Sequence, residues 1–463
     1  MSKNNIHFDI SERKVLLRLL DVVSVFCCLY FIGVISEFEY FVLASTKWLS
    51  TLVLIVYLMV FATIFELYDL QKASKFLIVV KNTIITSSIT VLVYLLTPFY
   101  TPSLPSNRLQ IVYFFLAINV ALLLWRYAYI TLISTPRFYK RILLVANGKD
   151  VDAISNSLQK SDPNYKVVGY YDIDQNGSHL VQNKNIAQLT LSEFSKMAED
   201  MTISEIVVSI VNAEGMITEL NNALIRLLEK GISIREYLGV YEELTYRIPV
   251  QYLEKDFYRY FPFSRSNQNK LYLLFSRILD IIFGVIGLGF CFILLPFLFI
   301  GNLIANPGPL LYYQTRVGRN GEHFKLYKFR SMVKNAEQNG AQFAKIKDGR
   351  VTKFGRYLRR SRIDEMPQYI NVVKGEMSLI GPRPERPEFV KSLAENLPFY
   401  EVRHLVKPGI TGWAQVNARY GCSEEDSLDK LQYDLYYIKH RSLFLDIAII
   451  IKTLSTIVFF RGQ

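Results

Sequence analysis

Cysteine and histidine are scarce in this sequence: its 463 residues hold four cysteines and five histidines. Cys27 and Cys28 share one apolar run, Cys291 sits in another and Cys422 stands alone. No pair has the spacing of a disulfide framework, which fits a reducing compartment, and the scattered histidines predict no zinc site. Charge is also sparse, at 20% of residues, and it is one-sided: 53 lysines and arginines against 41 acids, a net charge of +12. That balance calls for an anionic partner, whether nucleic acid, anionic lipid or a phosphorylated substrate. There is no internal repeat and no low-complexity tract, which sets aside solenoid and disordered architectures. What is plentiful is apolar: 51% of residues are hydrophobic, with 30 tyrosines and 31 phenylalanines. That load is high for a soluble chain, and the length leaves room for two or three domains.

The apolar residues collect into spans. Leu16 to Ser36, Trp48 to Leu67, Phe76 to Leu96 and Ile111 to Ile133 are each long enough to cross a bilayer as a helix. Arg13 and Lys14 precede the first, Arg18 lies near its start, and no small-residue cleavage site follows it, so it is expected to be an anchor. The flanking charges alternate, with Glu37 and Glu39 after span one, Lys72, Lys75 and Lys81 after span two, and Arg137, Lys140 and Arg141 after span four. The positive-inside rule then places both ends of a four-helix transmembrane bundle, residues 1–135, in the cytoplasm.

From Arg141 the pattern turns to short apolar runs between polar helices. Arg141–Ala146, Lys166–Asp172, Glu205–Ile210 and Ile232–Leu238 read as strands, with helices near Ser192–Glu199 and Thr218–Lys230. This predicts a Rossmann-like α/β domain with a parallel sheet over residues 136–262, Tyr241–Phe263 being the connector. Its first strand runs into Ala146-Asn147-Gly148-Lys149, which lacks the G-x-G-x-x-G turn. A scaffold or regulatory role is therefore favoured over nicotinamide chemistry.

Residues 263–463 form the third expected domain. Ile281–Ile300 is uncharged and span-length, yet Arg265, Lys270 and Arg277 lie before it and Arg316, Arg319, Lys325, Lys328 and Arg330 after it. Basic flanks on both sides place both ends in the cytoplasm. Pro296 offers the means, since it has no N–H for the carbonyl four residues back; a break there predicts a re-entrant membrane helix over residues 278–304. Ser442–Phe460 carries two spaced charges, Asp446 and Lys452, and reads as an interfacial amphipathic helix.

The chemistry concentrates between Arg350 and Glu385. Lys353, Arg356, Arg359, Arg360 and Arg362 lead into the acid pair Asp364-Glu365, and Gly381-Pro382-Arg383-Pro384 follows. Carboxylates beside guanidinium forks suit phosphate chemistry, because an acid can attack phosphorus or hold Mg²⁺ while arginine grips phosphate oxygens. Asp364, Glu365 and Pro367 read as a helix start whose N-terminus keeps the acid ionised and attracts phosphate.

This segment resembles the catalytic core of the bacterial sugar transferases, the polyprenyl-phosphate hexose-1-phosphate transferases. Three further motifs carry the likeness: Tyr327-Lys-Phe-Arg-Ser-Met332, Val406-Lys-Pro-Gly-Ile-Thr-Gly-Trp-Ala-Gln-Val-Asn417 and Asp434-Leu-Tyr-Tyr437. They cover about the last 190 residues in the family's order. The resemblance implies a monotopic catalytic domain that takes a UDP-sugar, glucose first and galactose next, and undecaprenyl phosphate. It implies UMP and a lipid diphosphate sugar as products, the first step of capsule, exopolysaccharide or O-antigen assembly at the cytoplasmic face of the bacterial inner membrane. Asp364 would be the nucleophile that forms a phospho-sugar intermediate, with Glu365 beside it and both as Mg²⁺ ligands. Arg359, Arg383, Lys328 and Arg330 would bind phosphate. Membrane lipids are expected partners, a homodimer is open, and nucleic acid is not expected. Two alternatives stay open: a membrane-anchored nucleotide-sugar dehydratase or epimerase, and a non-catalytic scaffold of polysaccharide assembly.

Overall fold

The computed structural model describes residues 10–35, 38, 40–41, 47–73, 76–133, 140–162, 165–174, 186–200, 203–209, 218–253, 270–306, 308–334, 336, 348–418 and 423–458. Glu37, Glu39, Lys75, Arg137, Arg265, Cys422 and residues 254–263 of the expected connector lie outside them. The chain divides into two compact units, Met1–Thr245 and Tyr246–Gln463.

In the first unit the apolar runs form helices α1 (Ile10–Ile35), α2 (Trp48–Ile64), α3 (Leu70–Ala73), α4 (Phe76–Leu95) and α5 (Leu109–Ala128). Stretches of α1 and α4, and α5 with the π-helical turn that follows it, are long and apolar enough to cross a membrane. Helix α2 has 17 residues and stops at Ile64, short of the expected Leu67, because the chain turns there with Glu66 at a positive φ of 59°. Val25, Leu29, Leu54, Leu58, Tyr94, Phe114 and Ile118 fill the space between the helices. One buried ion pair, Arg126 Nη2 to Asp21 Oδ2 at 2.6 Å, ties α5 to α1. Removing either partner would strand a charge at a cost of about 3–5 kcal/mol.

The α/β part of this unit is a five-stranded, all-parallel sheet in the order β3-β2-β1-β4-β5. The strands are β1 (Lys140–Ala146), β2 (Tyr165–Asp172), β3 (Ala187–Gln188), β4 (Glu205–Val208) and β5 (Ser233–Glu236). Leu143, Val145, Ile206 and Val208 pack against Phe194, Leu220 and Leu224 from the covering helices. A helix absent from the sequence reading, α6 (Gly148–Ser161), begins directly after β1. Its first amide, Gly148 N, donates to Asp172 Oδ1 at 3.0 Å, so the acid at the end of β2 takes a donor that a phosphate would otherwise use. At the other end of α6, Asp162 accepts from Arg13 of α1, and both side chains are buried.

The second unit begins at Tyr246, and its longest helix, Lys270–Ala305, lacks the expected break. The helix is continuous through Pro296, with no break. The buried positions Tyr272, Asp280, Gly284, Cys291, Leu298 and Asn302 follow helical spacing and make one packed face. Pro296 lies on the opposite, exposed face, where losing one hydrogen bond does not end the helix. Folded contacts follow the packed face nearly end to end. Arg277 donates to the carbonyls of Val372 and Val373, both at 2.7 Å, and Asp280 accepts from Ser378 Oγ and Leu379 N at 2.9 and 2.8 Å. Near the other end Asn302 Nδ2 donates to the Gly308 carbonyl at 2.9 Å and Asn306 Nδ2 to that of Arg330 at 2.8 Å. The outer face, including Phe292, Phe297 and Ile304, is apolar and exposed.

Strands β6 (Leu311–Val317) and β7 (His323–Phe329) form an antiparallel hairpin, and β8 (Ser378–Ile380) pairs in parallel with β9 (Gly409–Thr411). In the C-terminal helix Leu443–Val458 the two charges are bonded into the fold. Asp446 is buried and accepts from Tyr272 and Tyr437 hydroxyls at 2.6 and 3.0 Å, while Lys452 donates to Asn417 Oδ1 at 2.6 Å and lies over the Trp413 ring. The exposed side is the apolar one, with Phe444, Ile447, Leu454 and Ile457.

Candidate active site

The helix Lys353–Arg360 is capped at its start by Thr352, whose hydroxyl accepts from Gly355 N at 2.9 Å. It ends because Arg362 adopts a left-handed conformation, φ 59° and ψ 12°. A non-glycine residue there is held against its own preference, and the reversal turns the next residues inward. Asp364 and Glu365 follow in the first turn of a 3-10 helix, Ile363–Gln368, and both are buried. Asp364 thus lies inside the first turn, and the N-cap is Arg362.

The 3-10 turn continues into the helix Tyr369–Lys374, whose Asn371 is fully buried. Its amide donates to the Lys325 carbonyl at 2.7 Å and accepts from Tyr327 N at 3.3 Å, extending the ladder of β7 sideways. This fixes β7, and so Lys328, beside the acid pair.

Three cations converge on Glu365. Arg383 Nη2 lies 2.5 Å and Lys328 Nζ 3.5 Å from its Oε1, and Arg362 Nη1 lies 3.4 Å from Oε2. Burial alone would raise its carboxyl, but Arg383, Lys328 and Arg362 together hold it well below the usual carboxylate range. Asp364 goes the other way. Burial, and then the Glu365 charge, push it up to about 6 against the pull of Lys328, Arg359 and Arg362. Desolvation is the largest influence on this acid, which at about 6 is still ionised at neutral pH. Its Oδ1 is buried without a hydrogen-bond partner. Burial also lowers Lys328 below the usual lysine range despite Glu365.

The structure therefore brings Asp364, Glu365, Lys328 and Arg383 together, with Arg359 near enough for its charge to act on Asp364. It does not bring Arg330. That guanidinium donates to the Asn306 carbonyl just past the long helix, where a cation meets the negative end of the helix dipole. Arg362 was legible as one cation in a run, but its contact with Glu365 follows from the left-handed turn and no sequence signal marks it.

A buried carboxylate with a free oxygen and a raised pKa is a competent nucleophile or cation ligand. Among the described residues no three Asp, Glu, His or Cys side chains converge to hold a metal. Of the acid pair, Asp364 keeps an oxygen without a partner, the donor that a Mg²⁺ ion would use. Glu365 is already taken up by its cations.

Residues 271–460 match a family model described as bacterial sugar transferase, and residues 63–228 match one described as a CoA-binding domain. The chain is 39% identical over 252 residues to the UDP-N-acetylgalactosamine-undecaprenyl-phosphate N-acetylgalactosaminephosphotransferase of Aeromonas hydrophila, covering 54% of this chain and 58% of that one. It is 40% identical over 190 residues to the UDP-glucose:undecaprenyl-phosphate glucose-1-phosphate transferase of Xanthomonas campestris pv. campestris, covering 40% and 39%. The chain thus spans less than two thirds of either relative's length. A sugar transferase of Bacillus subtilis (strain 168) is 40% identical over 158 residues, 33% of this chain and 72% of that protein. The chain belongs to the bacterial sugar transferase family.

Proposed function

We propose that the protein transfers a hexose 1-phosphate from a UDP-sugar to undecaprenyl phosphate, releasing UMP, at the cytoplasmic face of a bacterial inner membrane. The observation that carries the reading is the division of labour in the acid pair: Glu365 gathers three cations while a buried oxygen of Asp364 has no partner. An Asp364 oxygen attacks the sugar-bearing phosphorus, and the bond from that phosphorus to the bridging oxygen breaks to expel UMP. An oxygen of the lipid phosphate then attacks the same phosphorus and breaks its bond to Asp364, returning the carboxylate. Two displacements replace one difficult step. Arg383 and Lys328 lie where developing phosphate charge would be neutralised. Mg²⁺, held by Asp364 and substrate, would supply further neutralisation of the diphosphate.

The long helix supports the placement of the site. Both its ends are packed on the unit that carries Asp364, so its apolar outer face enters the bilayer without carrying the unit across. The names of the relatives divide among glucose, galactose and N-acetylgalactosamine, so they single out no donor. UDP-glucose stays the first donor to try.

The test is UMP release by the purified full chain with undecaprenyl phosphate and a panel of UDP-glucose, UDP-galactose and UDP-N-acetylgalactosamine. One donor should react, and Asp364→Asn should lose at least about 10³-fold in kcat, since an amide is not a nucleophile toward phosphorus. Appreciable turnover by Asp364→Asn would remove the covalent role. No UMP release by the wild-type protein from any donor would favour the scaffold reading.

A further inference from the structure

The loop that presents Arg383 contains Pro382 and Pro384, which have no N–H to donate, so it cannot build a ladder of its own. It is held by its carbonyls instead. Four in a row accept a hydrogen bond: Pro382 O from Gly409 N at 2.9 Å, Arg383 O from Arg403 Nη2 at 3.0 Å, Pro384 O from Arg316 Nη1 at 3.0 Å and Glu385 O from Val317 N at 3.0 Å. The donor to Arg383 itself is a buried guanidinium. Arg403 Nη2 also meets Asp434 Oδ2 at 2.8 Å, its Nη1 donates to the Tyr400 hydroxyl, and the guanidinium lies over the Tyr400 ring. One planar fork thus serves three acceptors, a geometry that lysine cannot reproduce.

We infer that Arg403, anchored by Asp434, is a positioning residue: it fixes the Arg383 backbone and so sets the guanidinium that grips Glu365 and leaves Asp364 as the free carboxylate. The inference rests on the function proposed above. It assigns a task to the aspartate of the Asp434-Leu-Tyr-Tyr437 motif, a residue in the helix Glu424–His440, which lies far along the chain from the acid pair. Asp434 is 2% exposed, and its carboxylate acts on the site through two intermediaries, Arg403 and Arg383.

The test uses the full chain in detergent, with Arg403→Lys and the isosteric Asp434→Asn, each made alone and in an Arg383→Ala background. Each single change should lower kcat/KM for UMP release about 10- to 100-fold, as expected when a catalytic contact is displaced by a fraction of an ångström or more. In the Arg383→Ala background the same change should cost less than about threefold, because the group it positions is gone. Equal losses in both backgrounds would overturn the inference, as would wild-type kinetics in both single variants. Asp434→Asn keeps the test open if Arg403→Lys does not fold. A second readout separates this inference from the proposed function. Amide hydrogen exchange in residues 379–388 should quicken in Arg403→Lys and Asp434→Asn but not in Arg383→Ala, whether or not any UDP-sugar reacts. Unchanged exchange in both positioning variants would overturn the inference by itself.

Discussion

Asp364 and Glu365 are neighbours in the chain and near-opposites in chemistry. Both are buried, but Glu365 is surrounded by cations and stays ionised, whereas Asp364 is raised to about 6 from 3.8, first by burial and then by the Glu365 charge. The attacking form is the ionised one, so kcat/KM should fall about tenfold per pH unit below about 6. Glu365→Gln removes a charge that raises Asp364 and leaves the three cations facing it. The acid limb of the pH profile should move to lower pH even though kcat falls, and a limb that stays put would show that another group titrates. Stability runs the opposite way to activity. The folded state binds the Asp364 proton more tightly than the unfolded chain, so this group's stabilisation is complete below about 3.8 and is lost as pH rises through about 6. At this scale the sequence was only half legible: it showed two adjacent acids among cations, but which one is neutralised depends on Arg362 turning left-handed and on Arg383 arriving from a separate loop.

Among the elements, the glycines of the Val406–Asn417 motif acquire a physical reason. A Cβ on Gly412, the residue after β9, would lie 2.1 Å from the Gly381 carbonyl oxygen, so the chain there and the Arg383 loop press together backbone to backbone. Gly412→Ala should therefore displace that loop, costing about 1–3 kcal/mol of stability with a lower kcat/KM. A thermal melt and kinetics matching the wild type would mean that the contact yields. The long helix was legible as a span-length apolar run with basic flanks, but its packed stripe from Tyr272 to Asn302 and its continuity through Pro296 were not. Pro296→Ala should thus leave activity within about twofold and raise stability slightly, by restoring one backbone hydrogen bond. With the native cysteines removed, Lys270→Cys and Asn320→Cys should both resist an impermeant maleimide in intact cells, with or without that change. Labelling of one and not the other would mean that the helix crosses.

Across the whole chain, the second unit begins at Tyr246, inside the stretch read as a connector. Tyr246 and its neighbours are bonded into it: Trp413 Nε1 donates to the Tyr246 carbonyl at 3.1 Å, Arg247 pairs with Asp429 at 3.0 Å and Ile248 N donates to the Gln432 carbonyl at 3.1 Å. A fragment from Tyr246 to Gln463 should therefore melt higher in detergent than one from Phe263, and retain more activity. Equal melting would make those contacts dispensable. The sequence by itself determined what is local in physical origin. Run length marked the long apolar helices, alternating short apolar runs marked the parallel sheet, and the acid pair with its cations marked the candidate site. Tertiary structure alone decided what depends on groups distant in the chain: the fate of each carboxylate, the diversion of Arg330 to the end of the long helix, and the inward turn of Asp446 and Lys452. Those outcomes turn on desolvation and on which partner is within hydrogen-bond reach, and neither quantity exists until the chain has folded.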